Sequence, residues 1–393
     1  MQNFTFKRPT EFVFGKGVQG EAGKYLKKYN AEKVLIHYGT GSVVKSGLLS
    51  TVEESLKKES IPYVLLGGAV PNPVDSLVYE GVDICKKENI DFILAVGGGS
   101  AIDSAKAIAA GAKYEGDFWD LFDRKAEVLE ALPVATVLTI PAAGSEASSA
   151  SVITKMTNTE NPLKRGLITE AIVPVFSLMN PELTFTLPNY QTACGVVDMT
   201  SHVLERYFTT TRGVEVTDRL CEAILLTIIK EAPRALAENE NYEARANLMW
   251  AGTIAHDNTV GHGRVSDWGT HMLEHELSAM YNVAHGAGLA VMFPAWMEYV
   301  YEEDLDRFVR FATNVWGIEH KGDKKGTALA GIAAIKEFFK SIGMPTSFEE
   351  LGAKKEDIDA LVEVLKVNTG GSFSTFKNLN MEDAKKIYEL AAR

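Results

Sequence analysis

Cysteine is scarce. Cys85, Cys194 and Cys221 are the three thiols in 393 residues. They are odd in number and widely spaced, whereas a disulfide framework or a thiolate metal site needs paired spacing. The expectation is three reduced thiols in a cytoplasmic protein. Long apolar runs are missing too. None approaches the roughly 20 residues that a membrane span requires. The opening stretch MQNFTFKRPTEFVFGKG lacks the apolar core and cleavage site of a secretory signal. Nor is there an excess of basic residues. The formal net charge is −12, which argues against nucleic acid or an anionic membrane as partner, since both select a basic footprint. A locally positive site for an anionic small molecule remains compatible with that charge.

What is present suits a globular protein with sizeable cores: 46% apolar and 23% charged residues over a length sufficient for two domains. The first half alternates β-rich and helical patterns. Phe12–Phe14, VLIHYG (Val34–Gly39), Tyr63–Leu66, DFILAVG and Val134–Ile140 read as strands. Leu48–Lys57, Val78–Lys87 and AIDSAKAIAA read as helices. This order predicts a mostly parallel sheet covered by helices. Beyond about residue 191, helical spacing dominates in Val197–Phe208, Val216–Ala237, Tyr242–His256, Asp267–Met280 and Thr327–Ser341. Pro188 in LPNY marks the break. The expected domains are 1–188 and 189–393, with a ligand cleft between them.

Two constellations carry chemistry. GGGS (Gly97–Ser100) lies where an apolar strand meets a helix. Glycines there admit a ligand close to the backbone, and the helix start offers free N–H groups and partial positive charge to a pyrophosphate. The segment is neither GxGxxG nor a P-loop. After VLIHY come Gly39, Thr40, Gly41 and Ser42, with Lys45 nearby and no acid. A carboxylate at that point commonly holds ribose hydroxyls, so its absence favours NADP(H) over NAD(H).

The second constellation is histidine. Five of eight histidines fall within His256–His285. His271 and His275 are four apart in a helical run, as are Asp198 and His202 upstream, and each pair therefore shares a helix face. With His285, two helices and a turn could bring three imidazoles and one carboxylate to a common point. Such a nitrogen–oxygen set suits Fe(II), Zn or another borderline divalent ion. His37, His256, His262 and His320 are read as structural or exposed. Trp268, Phe293 and Trp296 are candidates for the substrate surround or for core.

These residues resemble the iron-containing alcohol dehydrogenases, and within them the butanol dehydrogenase-like aldehyde reductases. The resemblance spans nearly the whole chain: FVFGKG, Pro71–Pro73, GGGSAIDSAK, TIPAAGSE, TLP, GVVDMTSHVLE and DWGTHMLEHELSAMYNVAHG. It implies a Rossmann-like α/β N-terminal domain and an all-α C-terminal domain, the dehydroquinate synthase-like architecture. It also implies a homodimer and one metal, with Fe(II) favoured and Zn possible. By position, Asp198, His202, His271 and His285 match the four metal ligands. His275 matches a histidine near the nicotinamide that is not a ligand in most members, and it is the candidate proton relay. Gly97, Gly98, Gly99 and Ser100, with Asp103 in the same motif, match the pyrophosphate segment. Asn72, Thr139 and Lys164 match further cofactor-contacting positions, and Gly39 and Ser42 stand where NAD-preferring members often carry an aspartate.

The chain departs from the family at Ala142 and Ala143, where many members have Gly-Thr, and at Asn180-Pro181, where Asp-Pro is frequent. The activity implied is hydride transfer between NAD(P)H and a short-chain aldehyde/primary alcohol pair, with the metal as Lewis acid on the oxygen. Competing readings are a glycerol dehydrogenase-like or dehydroquinate synthase-like enzyme, or a non-catalytic dinucleotide- and metal-binding sensor.

Overall fold

FILAVG, VATVL and FSLM are buried at every position. Strands of that kind belong inside a parallel sheet with both faces covered. In the computed structural model, which describes residues 1–157 and 162–393, they lie at the centre of a six-stranded sheet. Its strands are β1 (Glu11–Phe14), β2 (Val34–Gly39), β3 (Tyr63–Ala69), β4 (Phe92–Gly97), β5 (Val134–Leu138) and β8 (Phe176–Met179), in the order β1-β8-β5-β4-β2-β3. Every pairing is parallel, for example Val34 opposite Phe92 and Ile93 opposite Val134. The remaining strands, β6 (Ala150–Lys155) and β7 (Leu163–Ile168), form a separate antiparallel pair. Helices α1 (Ala22–Lys28), α2 (Ser42–Lys45), α3 (Leu48–Lys58), α4 (Asp75–Glu88), α5 (Gly99–Lys113) and α6 (Trp119–Phe122) complete this unit, which spans Lys7–Thr186.

The strand order creates a switch point. From β2 the chain runs to β3 on one side, and from β4 it runs to β5 on the other. Connections leaving adjacent strands in opposite directions open a crevice at the strands' carboxyl ends, where ligands of α/β folds bind. β2 ends at Gly39 and β4 at Gly97, with Tyr38 opposite Val96. The two glycine-bearing segments of the sequence therefore sit at the same end of neighbouring strands.

The second unit is helical: Leu187–Arg393, joined by Met1–Phe6. It contains α7 (Asn189–Tyr207), α8 (Glu215–Ala237), α9 (Tyr242–His256), α10 (Gly269–Tyr281), α11 (His285–Val300), α12 (Leu305–Trp316), α13 (Lys324–Ser341), α14 (Phe348–Leu351), α15 (Ile358–Thr369) and α16 (Met381–Ala391). α7 and α11 are buried almost all round, as helices central to a domain must be. They pack on each other, and α11 also packs on α10. The N-terminal residues are tied to this unit: the Met1 amino group donates to Arg212 O at 2.9 Å, and Phe4 stacks on His262. The 1–188 division has no sequence signal for that placement. Among the described residues, no helix is long and apolar enough to cross a membrane.

Candidate functional site

The helical unit gathers the histidines. Asp198 and His202, one turn apart on α7, are both buried, with His202 Nε2 at 3.5 Å from Asp198 Oδ1. His285 is the first residue of α11, and its Nε2 lies 3.8 Å from the same oxygen. His271, in the first turn of α10, stacks on His202 with ring centroids 4.9 Å apart. One donor atom each from Asp198, His202 and His271 falls within a 4.8 Å set. Two donors held about 2.0–2.2 Å from one ion at a tetrahedral angle stand roughly 3.3–3.6 Å apart, so these spacings fit a shared cation.

Glycine permits the approach. A Cβ at Gly286 would stand 2.0 Å from the carbonyl oxygen of Cys194, so the start of α11 closes on α7 only because residue 286 has no side chain.

The free valences agree with a cation site. The Nε2 of His271 is buried and takes no hydrogen bond, while its Nδ1 is 2.9 Å from Glu205 Oε1. The Nδ1 of His285 meets Glu274 Oε2. The Nδ1 of His202 is buried without a hydrogen bond. Burial pushes the His202 imidazole well below its ordinary value, reinforced by His256 and His271 beside it, so it is neutral and able to ligate. Asp198, Glu205, Glu274 and Asp267 are all buried in this region. A divalent cation would offset part of that negative charge.

His275, one turn beyond His271, is buried, with its ring centroid 5.6 Å from His285 and 6.5 Å from His271. A second donor group combines Glu274, His275 and His285. Glu274 is already engaged by His285 Nδ1 and Ser278, which makes it a supporting carboxylate rather than a ligand.

Of the three aromatic candidates, Phe293 and Trp296 are fully buried in the helical core. Trp268 is different. It is half-buried, holds a left-handed backbone (φ 90), and lies 5.1 Å from His271 and 5.9 Å from His202 by ring centroid. The Arg206 guanidinium lies 4.7 Å from its ring. His256, read from sequence as structural or exposed, sits with its ring 4.1 Å from His202.

The dinucleotide candidates all belong to the α/β unit. Gly97 closes β4, Gly98 caps α5, and Gly99 and Ser100 begin that helix. A Cβ at Gly98 would meet Ile140 at 2.9 Å and one at Gly99 would meet Ala143 at 3.0 Å, so the segment beginning at Thr139 walls the glycine turn. Thr139 N donates to Gly97 O at 3.0 Å. Gly39 ends β2, and Ser42 is exposed at the start of α2. Asn72 (φ 52) accepts from Lys164 Nζ at 3.1 Å, which brings two distant candidates together.

Asp103, in the same motif, has partners within the unit. Its carboxylate accepts from Ser145 Oγ at 2.5 Å and Val152 N at 2.9 Å. One turn on, the buried Lys106 donates to Ser145 Oγ, Ser148 O and Ala150 O. Burial pushes its ammonium down to about 8, against the opposing pull of Asp103 and Glu146. The pair fastens residues 145–152 to α5.

A model described as iron-containing alcohol dehydrogenase matches residues 9–181, and its C-terminal counterpart matches residues 192–392. The chain belongs to the iron-containing alcohol dehydrogenase family. It is an NAD(P)-dependent oxidoreductase of the alcohol dehydrogenase and aldehyde reductase class. It is 40% identical to NADH-dependent butanol dehydrogenase A of Clostridium acetobutylicum, over 99% of each chain. It is 37% identical to the NADPH-dependent aldehyde reductase YqhD of Escherichia coli, over 100% of each. Among solved structures, an NADH-dependent butanol dehydrogenase A from Thermotoga maritima superposes with a TM-score of 0.96 at 43% identity, covering 100% of this chain and 99% of that one.

Sequence reasoning missed Glu205 and Glu274. Both stood inside quoted motifs, and the signal was available: each is an acid beside a ligand-type histidine segment, Glu205 at i+3 from His202 and Glu274 at i+3 from His271. Their partners across helices were not legible from spacing.

Proposed function

We propose that this chain interconverts short-chain aldehydes and primary alcohols, using NADPH in preference to NADH and one divalent metal, Fe(II) favoured and Zn possible. Asp198, His202, His271 and His285 would hold the metal. The single observation that carries this is His271, buried with its Nδ1 on a carboxylate and its Nε2 free toward Asp198 and His202. When bound, the metal supplies Lewis-acid polarisation of the substrate oxygen, and the dinucleotide supplies the hydride.

The chain's own groups do the rest. Gly97, Gly98, Gly99 and Ser100 present the backbone N–H groups of a helix start to the pyrophosphate. Thr139, Asn72 and Lys164, the last two joined by a hydrogen bond, would add polar contacts to the dinucleotide, and Asp103 would steady the neighbouring segment through Ser145. Gly39 and Ser42 contribute no carboxylate at the end of β2, which favours a 2′-phosphate there. The Trp268 ring packs edge-on against His202 and His271. His275, one turn beyond His271 on α10, would be the proton relay, a role that imidazoles commonly fill. The proposal includes the homodimer that the family resemblance implies and the cytoplasmic location that the sequence leads us to expect.

The test is an anaerobic assay of protein reconstituted with Fe(II) or Zn(II), offering NADPH and NADH against butanal, its shorter homologues and, in reverse, glycerol. Aldehyde reduction by the reconstituted protein, lost in Asp198→Ala, supports the reading. Dinucleotide binding without turnover on any carbonyl would favour the sensor, and a preference for glycerol would favour the polyol enzyme.

A further inference from the structure

Two of the three candidate ligand imidazoles share a feature that the third lacks. Glu205 is fully buried on α7. Its Oε1 accepts from His271 Nδ1 at 2.9 Å, from His271 N at 3.1 Å and from the Thr270 hydroxyl, and its Oε2 accepts from Trp268 N at 2.9 Å. Glu274 is fully buried on α10, and takes His285 Nδ1 and the Ser278 hydroxyl. His202 has no counterpart, its buried Nδ1 being without a hydrogen bond.

A carboxylate that accepts from Nδ1–H fixes the tautomer, leaves the lone pair on Nε2, locks the ring's rotation and raises the basicity of the ligating nitrogen. Glu205 does more than this. Through the backbone N–H groups of Trp268 and His271 it also fixes the left-handed entry into α10.

Glu274 explains a glycine. A Cβ at Gly288 would stand 2.6 Å from Glu274 Oε1 and 2.7 Å from its Cγ. In the segment His285-Gly-Ala-Gly288, the first glycine therefore lets α11 approach α7, and the second clears space for the carboxylate that holds His285.

We infer that Glu205 and Glu274 are positioning residues that set how tightly the metal is held, acting through His271 and His285, with Gly288 as the residue that admits Glu274. The inference rests on the metal-site reading above and goes beyond it by assigning retention to two carboxylates that are not ligands.

The experiment measures zinc affinity by chelator competition and iron content after gel filtration, in Glu205→Gln, Glu274→Gln, Gly288→Ala and Asp198→Ala, alongside NADPH binding by fluorescence. Glutamine at 205 has one carbonyl oxygen where the carboxylate serves donors with two, so its NH2 would face an N–H. That variant is checked for folding by circular dichroism. Glu274→Gln and Gly288→Ala keep the test open if it does not fold.

The expected result is zinc affinity weakened about 10–100-fold in the glutamate variants, and weakened in the same direction in Gly288→Ala. NADPH binding should be unchanged, and turnover should be restored by excess metal. Asp198→Ala should not be rescued. Metal affinity within twofold of the parent in both glutamate variants and in Gly288→Ala, with Asp198→Ala metal-free, overturns the positioning role while leaving the metal site standing. Full metal binding by Asp198→Ala overturns both.

Discussion

Replacing Gly286 by alanine is the sharpest mechanical test of how the helical unit builds its centre. The added methyl would stand 2.0 Å from Cys194 O, 2.6 Å from its carbonyl carbon and 2.8 Å from its Cα. All three are backbone atoms of a buried helix, so no side chain can swing aside. Restoring an ordinary contact of about 3.5 Å requires the start of α11 to retreat by roughly 1.5 Å. Overpacking of this kind costs about 1–3 kcal/mol. For a unit of this size that is a fall of roughly 2–12 °C in the melting temperature of the metal-free protein. His285 is the adjacent residue, and its Nε2 begins 3.8 Å from Asp198 Oδ1. A shift of that size takes it out of the donor set, so zinc titrated calorimetrically should bind more weakly than to the parent. Scanning calorimetry of the metal-free forms reads the first effect and the titration reads the second. An alanine variant with the parent's melting temperature and zinc affinity would refute the close-approach reasoning.

Two further outcomes follow from the α/β unit. At Gly39 a Cβ would meet Ala69 O at 3.6 Å, an ordinary contact, so Gly39→Asp should fold normally. A carboxylate about 5 Å from a 2′-phosphate costs about 1 kcal/mol per charge pair in water-like surroundings and about 3 kcal/mol at an effective dielectric of 20. The ratio of kcat/KM for NADPH over NADH should therefore fall at least about tenfold, and an unchanged ratio removes this loop from cofactor selection. His37 is fully buried on β2 with Nδ1 at 2.9 Å from Leu66 O, and burial pushes it from the usual 6.5 down to about 4. The folded chain thus binds fewer protons than the unfolded one between those values. The stabilising contribution is complete above about pH 6.5 and is lost as pH falls toward 4, amounting to about 3 kcal/mol. In urea denaturation at pH 7 and pH 4.5, His37→Leu should lose less stability than the parent. Parallel losses would exclude His37 as a source of acid sensitivity.

What could be read without coordinates follows the reach of local physics. Strands buried on both faces are continuous apolar runs, and FILAVG and VATVL announced themselves. The four-residue β8 and the β6–β7 pair did not. FSLM is too short for periodicity, and LKRGLI is polar enough to read as loop. Helix interiors were plain, but the start of α10 was set back from Asp267 to Gly269 by something non-local. The Asp267 carboxylate accepts from Thr375 N and Phe376 N, more than a hundred residues away, and Trp268 turns left-handed to begin the helix.

The same distinction runs through the site. Asp198 with His202, and His271 with His275, are i,i+4 pairs, and a single helix brings each pair to one face. Spacing alone could not say which of the later histidines faces Asp198. Asp103 has partners that position in a motif does not reveal. It belongs to the glycine-rich motif by sequence, yet its carboxylate is spent on Ser145 and Val152. Glu205 and Glu274 show the converse, because their i+3 spacing marks them in sequence but does not say which histidine on a neighbouring helix each one holds. Residues that meet their partners along one helix can be found from sequence, and residues that meet them across helices can be found only once the helices are packed. Here the second class supplies the support on which the first depends.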